Sequence, residues 1–146
     1  MEASFQSYVR QLSLRPGASE QSILDMSRCC SFRLPPDYLN FLRFSNGAIG
    51  IGPNLFVVIW STEEAVESNR DYNTDDLAPG LFLIGSDGCG NLLGIDTRSG
   101  EPDEMSYVWF DSMDMDWDAI TTRCSSFGAL LDYLNRYYGK LPEVDV

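Results

Sequence analysis

The chemistry open to this chain is narrowed first by a residue it lacks: none of its 146 positions is histidine. Ser-His-Asp and Cys-His nucleophile pairs, histidine-bearing zinc sites and the commonest general base all fall away together. Hydrolysis by a carboxylate pair remains open by composition, yet no two acids are singled out by spacing as facing one cleft. Cys29, Cys30, Cys89 and Cys124 offer thiols, but an adjacent Cys29-Cys30 is not a C-x-x-C chelating pair. These four are expected to be reduced, mostly buried thiols. The chain is expected to have no enzymatic activity, no metal and no cofactor.

Two local patterns imitate ligand sites but lack residues that such sites need. Asp114-Met-Asp116-Trp-Asp118 has the alternating acids that open an EF-hand loop, but Ala119 stands where the turn needs glycine and Ser125 where a bidentate glutamate is needed. Gly85-Ser-Asp-Gly88-Cys-Gly90 has the glycines of a phosphate cradle without the Lys-Ser/Thr ending or a following helix, so its glycines are expected to serve a tight turn.

The acids themselves are the stronger signal. With 22 acidic against 10 basic residues the formal charge is −12, a field that repels nucleic acid and anionic lipid and draws in a basic protein. An acidic surface also serves plain solubility. Candidate partner-binding residues are Glu63, Glu64 and Glu67, Asp87 within the glycine-rich turn, and above all Asp111, Asp114, Asp116 and Asp118. Four carboxylates within eight residues repel one another, and a basic partner would relieve that cost. Trp109 and Trp117 stand beside them as possible aromatic anchors. The opposing account places Trp109 in the core and lets the acids merely solvate a loop.

The elements that must carry these residues follow from periodicity and punctuation. Phe5, Tyr8, Val9 and Leu12 keep the spacing of one helix face before Pro16-Gly17. Ser19 opens a short helix ending near Cys29, with Ile23, Leu24 and Met26 available for burial. Pro36 and Asn46-Gly47 bracket a helix centred on Phe41. A connector containing Gly50, Gly52 and Pro53 leads to a strand over Leu55 to Trp60, and Ser61-Thr-Glu-Glu64 is a capping box that starts a helix reaching about Asn69. The stretch from Arg70 to Gly80 reads as loop. Leu81 to Ile84 and Asn91 to Ile95 read as a hairpin, Tyr107 to Phe110 as a strand, and Phe127, Leu130, Leu131, Leu134 and Tyr138 as the inner face of a last helix capped by Ser125 or Ser126. Hydrophobic residues at 44% suffice for one core. The expected architecture is α+β, one domain over residues 1–146 with a mostly antiparallel or mixed sheet flanked by helices. The longest apolar run is too short to span a bilayer and no export signal is evident, so a cytoplasmic protein is expected.

In this order and spacing, Leu34-Pro-Pro-Asp-Tyr-Leu-Asn-Phe-Leu42 with Ser45-Asn-Gly47, then Ile84-Gly-Ser-Asp-Gly-Cys-Gly-Asn91 with Ile95-Asp96, then Ser126-Phe127, resemble the SUKH superfamily over roughly residues 20 to 138. Pro35, Asn46, Gly47, Gly85, Asp87, Gly88, Gly90, Asp96 and Phe127 match its pattern; Cys89 departs where a small residue is common. The resemblance implies an α+β fold without catalysis. For its bacterial immunity branch it implies binding and neutralisation of a cognate protein toxin, often a nuclease. For the SMI/KNR cell-wall regulators it implies a regulatory or scaffolding interaction domain. The toxin-facing surface varies among such proteins, so the resemblance assigns no binding residue.

Overall fold

A computed structural model describes residues 12–30, 32–51, 56–88 and 90–140. Within them seven strands run in chain order as one meander: β1 (Leu12–Leu14), β2 (Ala48–Ile51), β3 (Phe56–Ile59), β4 (Leu81–Ser86), β5 (Asn91–Asp96), β6 (Ser106–Asp111) and β7 (Thr122–Cys124). Each is antiparallel to the next. The helices are α1 (Glu20–Arg28), α2 (Pro36–Phe44), α3 (Thr62–Asp71), α4 (Thr74–Leu77) and α5 (Phe127–Lys140). The α+β architecture is as expected, and the sheet is antiparallel at every pairing described.

Period-two alternation splits the core between the two faces of the sheet. Phe82, Ile84, Leu93, Ile95 and Tyr107 turn to one face, where they meet Ile23 and Met26 of α1, Tyr38, Phe41 and Leu42 of α2, Ala65 of α3 and Phe127, Leu130, Leu131 and Leu134 of α5. Leu81, Leu83, Leu92, Val108 and Phe110 turn to the other face and are covered by Ala78, Met115 and Ile120. One face is therefore roofed by helices and the other by the segment between β6 and β7 together with Ala78 after α4.

Local punctuation works as its chemistry dictates. Ser19 caps α1 by accepting from Ser22 N, Pro36 stands in the first turn of α2, and Ser61 and Glu64 form a reciprocal capping box on α3. Gly47 sits at φ 90°, and a Cβ there would lie 2.7 Å from Ile59 O, so both conformation and space require glycine. Asp37 joins three elements. Its Oδ1 accepts from Tyr107 Oη at 2.6 Å on β6 and from Tyr38 N at 3.0 Å, and its Oδ2 accepts from Phe127 N at 2.8 Å at the start of α5. Phe127 then packs against Tyr38, Phe41 and Tyr107.

Several expectations need correction. The helix face of Phe5, Tyr8 and Val9 lies outside the described residues, and Leu12, assigned to it, pairs in β1 with Gly50. Ala48–Ile51 is a strand rather than connector, 122–124 form a seventh strand, and the stretch read as loop before Gly80 contains the end of α3 and all of α4. Leu24 is exposed on α1, and so is Cys29, contrary to the expected burial of both. Cys30 and Cys124 are partly buried thiols.

Candidate functional site

The acids expected to meet a partner fall into three groups with different surroundings. Asp87 is 0% exposed at the β4–β5 turn. Its Oδ1 accepts from Asn91 N at 3.0 Å, and its Oδ2 accepts from Asn91 Nδ2 at 2.7 Å and Trp109 Nε1 at 3.2 Å. The carboxylate thus organises the turn from inside and, contrary to expectation, presents no surface to a partner. Trp109 belongs with it: the ring lies 5.5 Å from that of Tyr133 on α5, within the helical layer rather than at an outer surface.

Asp111, Asp114, Asp116 and Asp118 are all exposed. The segment that bears them starts beside the β4–β5 turn, where Ser112 N donates to Gly90 O, and crosses the back of the sheet to its opposite end, where Trp117 Nε1 donates to Pro79 O at 2.8 Å. The alternation noticed in the sequence has a physical cause there. Met115 is buried and Trp117 half-buried over the sheet, while the intervening acids face water. Met113 breaks the pattern at 88% exposed. Two of the acids also shape the backbone, since Asp111 Oδ1 accepts from Met113 N and Asp116 Oδ1 from Asp118 N. Trp117 is covered by the Arg98 guanidinium 3.8 Å from the ring centroid.

Arg98 and Arg123 both reach Asp96, at 2.8 and 2.7 Å. Burial works against the Asp96 charge, but the hydrogen bonds from Arg98 and Arg123 and the charge of Arg98 outweigh it and bring the carboxyl down to about 2. This network clamps β5, β7 and the Trp117 segment together at one end of the sheet.

Glu63, Glu64 and Glu67 lie on α3, on the helical side. Glu64 is committed to the fold: its Oε1 accepts from Ser61 N at 3.0 Å and from Arg15 Nη1 at 3.0 Å, and these backbone and arginine contacts lower its carboxyl despite partial burial. Glu63 and Glu67 are exposed, one turn apart, with no ion pair among the described residues. They flank a groove of about 380 Å³ between α1 and α3, shared with Asp25, Met26, Thr62 and Val66. The fold therefore places the α3 acids and the 111–118 acids on opposite layers, forming two separate surfaces.

Asp25 and Thr62 escaped the sequence reading. Asp25 is one acid among many on the polar side of α1, and only the packing of α1 on α3 brings it opposite Glu63 and Glu67. Thr62 is a first-turn residue with nothing local to mark it, yet it is 1% exposed and its Oγ1 has no hydrogen-bond partner among the described residues.

The residues quoted for the family resemblance almost all do architectural work. Asn46 Oδ1 accepts from Thr62 N at the start of α3, a Cβ on Gly85 would run into Val58 O of β3, Asp87 holds the turn, Asp96 the ionic clamp and Phe127 the aromatic cluster. Residues 17–133 match the model of the SMI1 / KNR4 family (SUKH-1), well over half of the chain. The chain belongs to the SMI1 / KNR4 family. No curated protein matches it. Since the SMI1 / KNR4 pattern coincides with caps, turns and core, membership accounts for the fold and leaves the exposed acids to be explained separately. Among the described residues no helix is long and apolar enough to cross a membrane, and no three Cys, Asp or Glu side chains are grouped to hold a metal ion.

Proposed function

We propose that this SMI1 / KNR4 domain is a non-catalytic immunity protein that binds a basic cognate toxin in the cytoplasm and neutralises it by occupying its surface. The observation that carries the reading is the division of labour among its charged and polar groups. Family-pattern residues are consumed by the fold, while Asp25, Glu63, Glu67, Asp114 and Asp118 are exposed carboxylates with no ion pair among the described residues, on a chain of charge −12. Such a surface recruits a basic protein quickly and disfavours nucleic acid and anionic membranes. The displaced titrations point away from catalysis. Burial pushes the Cys30 thiol up to about 12 and raises the Tyr38 and Tyr107 hydroxyls, the reverse of an activated nucleophile.

Co-expression with toxin-like proteins encoded beside its gene tests the reading. Rescue of growth together with a stoichiometric complex in gel filtration is the expected result. Rescue of none, with an envelope-synthesis defect on deleting the gene, would instead establish a regulatory domain of the cell-wall type.

A further inference from the structure

The α1–α3 groove combines three features that the loop acids do not. Its rim is acidic on both sides, with Asp25 on α1 facing Glu63 and Glu67 on α3, and Asp25 is engaged only by Gln21 Nε2, at 2.8 Å, among the described residues. Its walls are apolar, from Met26 at 2% exposed and half-buried Val66. Thr62 also lines it, and its buried Oγ1 lacks a partner among the described residues, in a fold where buried polar atoms are as a rule satisfied. Acids at the rim, an aliphatic wall and an unused hydroxyl match one kind of occupant: a long side chain ending in cationic N–H donors.

We propose that this groove is the docking site for an arginine or lysine side chain presented by the protein partner, its stem lying on Met26 and Val66 and its head bonded by Glu63, Glu67 and the Thr62 hydroxyl. The site rests on the protein-binding reading above and adds where the partner's anchor enters. Arg70 lines the same groove one turn beyond Glu67, so it repels a second cation there and directs the incoming one toward Glu63 and Thr62. The acids at 114, 116 and 118 act on this account as a long-range attractor on the other face, without a pocket of their own.

A hexaarginine peptide with blocked termini serves as probe, titrated into the isotope-labelled full chain at low ionic strength and followed by amide shifts. Shifts are expected to concentrate at 22–29 and 62–70. Glu63→Gln with Glu67→Gln should weaken binding about tenfold, and Asp114→Asn with Asp116→Asn and Asp118→Asn less than about threefold, because only the first pair makes direct charge-assisted bonds. Thr62→Val should weaken binding at unchanged or increased thermal stability, since it deletes an unpaired buried hydroxyl. Shifts centred on 111–118, shifts spread evenly, equal losses in the two charge variants, or no binding would each overturn the site. A toxin found to bind the Glu63→Gln, Glu67→Gln variant as tightly as the parent would also overturn it while leaving the immunity reading intact; peptide docking in the groove without any toxin neutralised would do the opposite.

Discussion

Asp87 shows how much a single side chain can decide in a turn. Three N–H donors converge on its carboxylate, from the Asn91 backbone, the Asn91 amide and the Trp109 indole. Asparagine in its place keeps the shape and one acceptor but aims an amide at donors that then go unpaired. Asp87→Asn is expected to cost about 2 kcal/mol in urea unfolding, with Trp109 exposed as the turn loosens. A loss below about 0.5 kcal/mol would mean the turn is held by its glycines alone. The burial of Asp87 was not legible in the sequence. An aspartate among glycines carries every local sign of a solvated loop, and the indole that encloses it arrives 22 positions later. Asp37 illustrates the converse: its place in Pro-Pro-Asp-Tyr was visible, but its grip on Tyr107 and Phe127 depends on partners 70 and 90 residues away.

Elements were legible in proportion to their punctuation. Helices α1, α2, α3 and α5 have a Ser or Pro at the start and apolar residues at helical spacing, and the hairpin β4–β5 has glycines in its turn. β1, β2 and β7 have three or four residues each and exist through their neighbours, since a short strand is made by pairing rather than by its own propensity. The junction of β3 and β4 shows the same dependence. Beyond the pairing of Ile59 with Gly85 the chain leaves for α3, and Asn69 from that helix completes the edge of β4, its Oδ1 accepting from Leu83 N at 2.7 Å and its Nδ2 donating to Leu83 O at 2.9 Å. Asn69→Leu is expected to cost about 2 to 3 kcal/mol, because both backbone groups lose their partner. Hydrogen exchange at the Leu83 amide should accelerate while β5 amides stay protected; uniform loss across the sheet would point to global destabilisation instead. The ionic clamp at the far end of the sheet makes a pH prediction. Because the folded Asp96 carboxyl lies below its ordinary value, its contribution to stability is complete above about pH 4 and disappears as pH falls through about 2. The stability gap between the parent and Asp96→Asn should therefore be constant from pH 7 to about 5 and close toward pH 2. A gap that widens on acidification would contradict the arginine pairing.

At the scale of the whole molecule, local attraction and global repulsion carry opposite salt responses. Four ion pairs are formed among the described residues, and all four of their arginines are partly open to solvent, so their screening costs little. Against them stands the mutual repulsion of a chain with 22 acids and 10 bases. Raising sodium chloride from about 10 to about 150 mM shortens the Debye length from about 30 to about 8 Å, so that exposed charges farther apart than this are largely screened from one another. Repulsion is the larger sum, so the free protein is expected to gain a few degrees in melting temperature over that range and level off beyond it. The same change should slow association with a basic partner, because the long-range attraction that speeds encounter is screened while contacts inside the α1–α3 groove are not. Stability rising while the association rate falls, measured in one buffer series, is the signature of an acidic surface kept for binding at a cost to the fold. If melting temperature and association rate both fall with salt, the ion pairs outweigh the repulsion, and the excess of carboxylates is not a strain that a partner relieves.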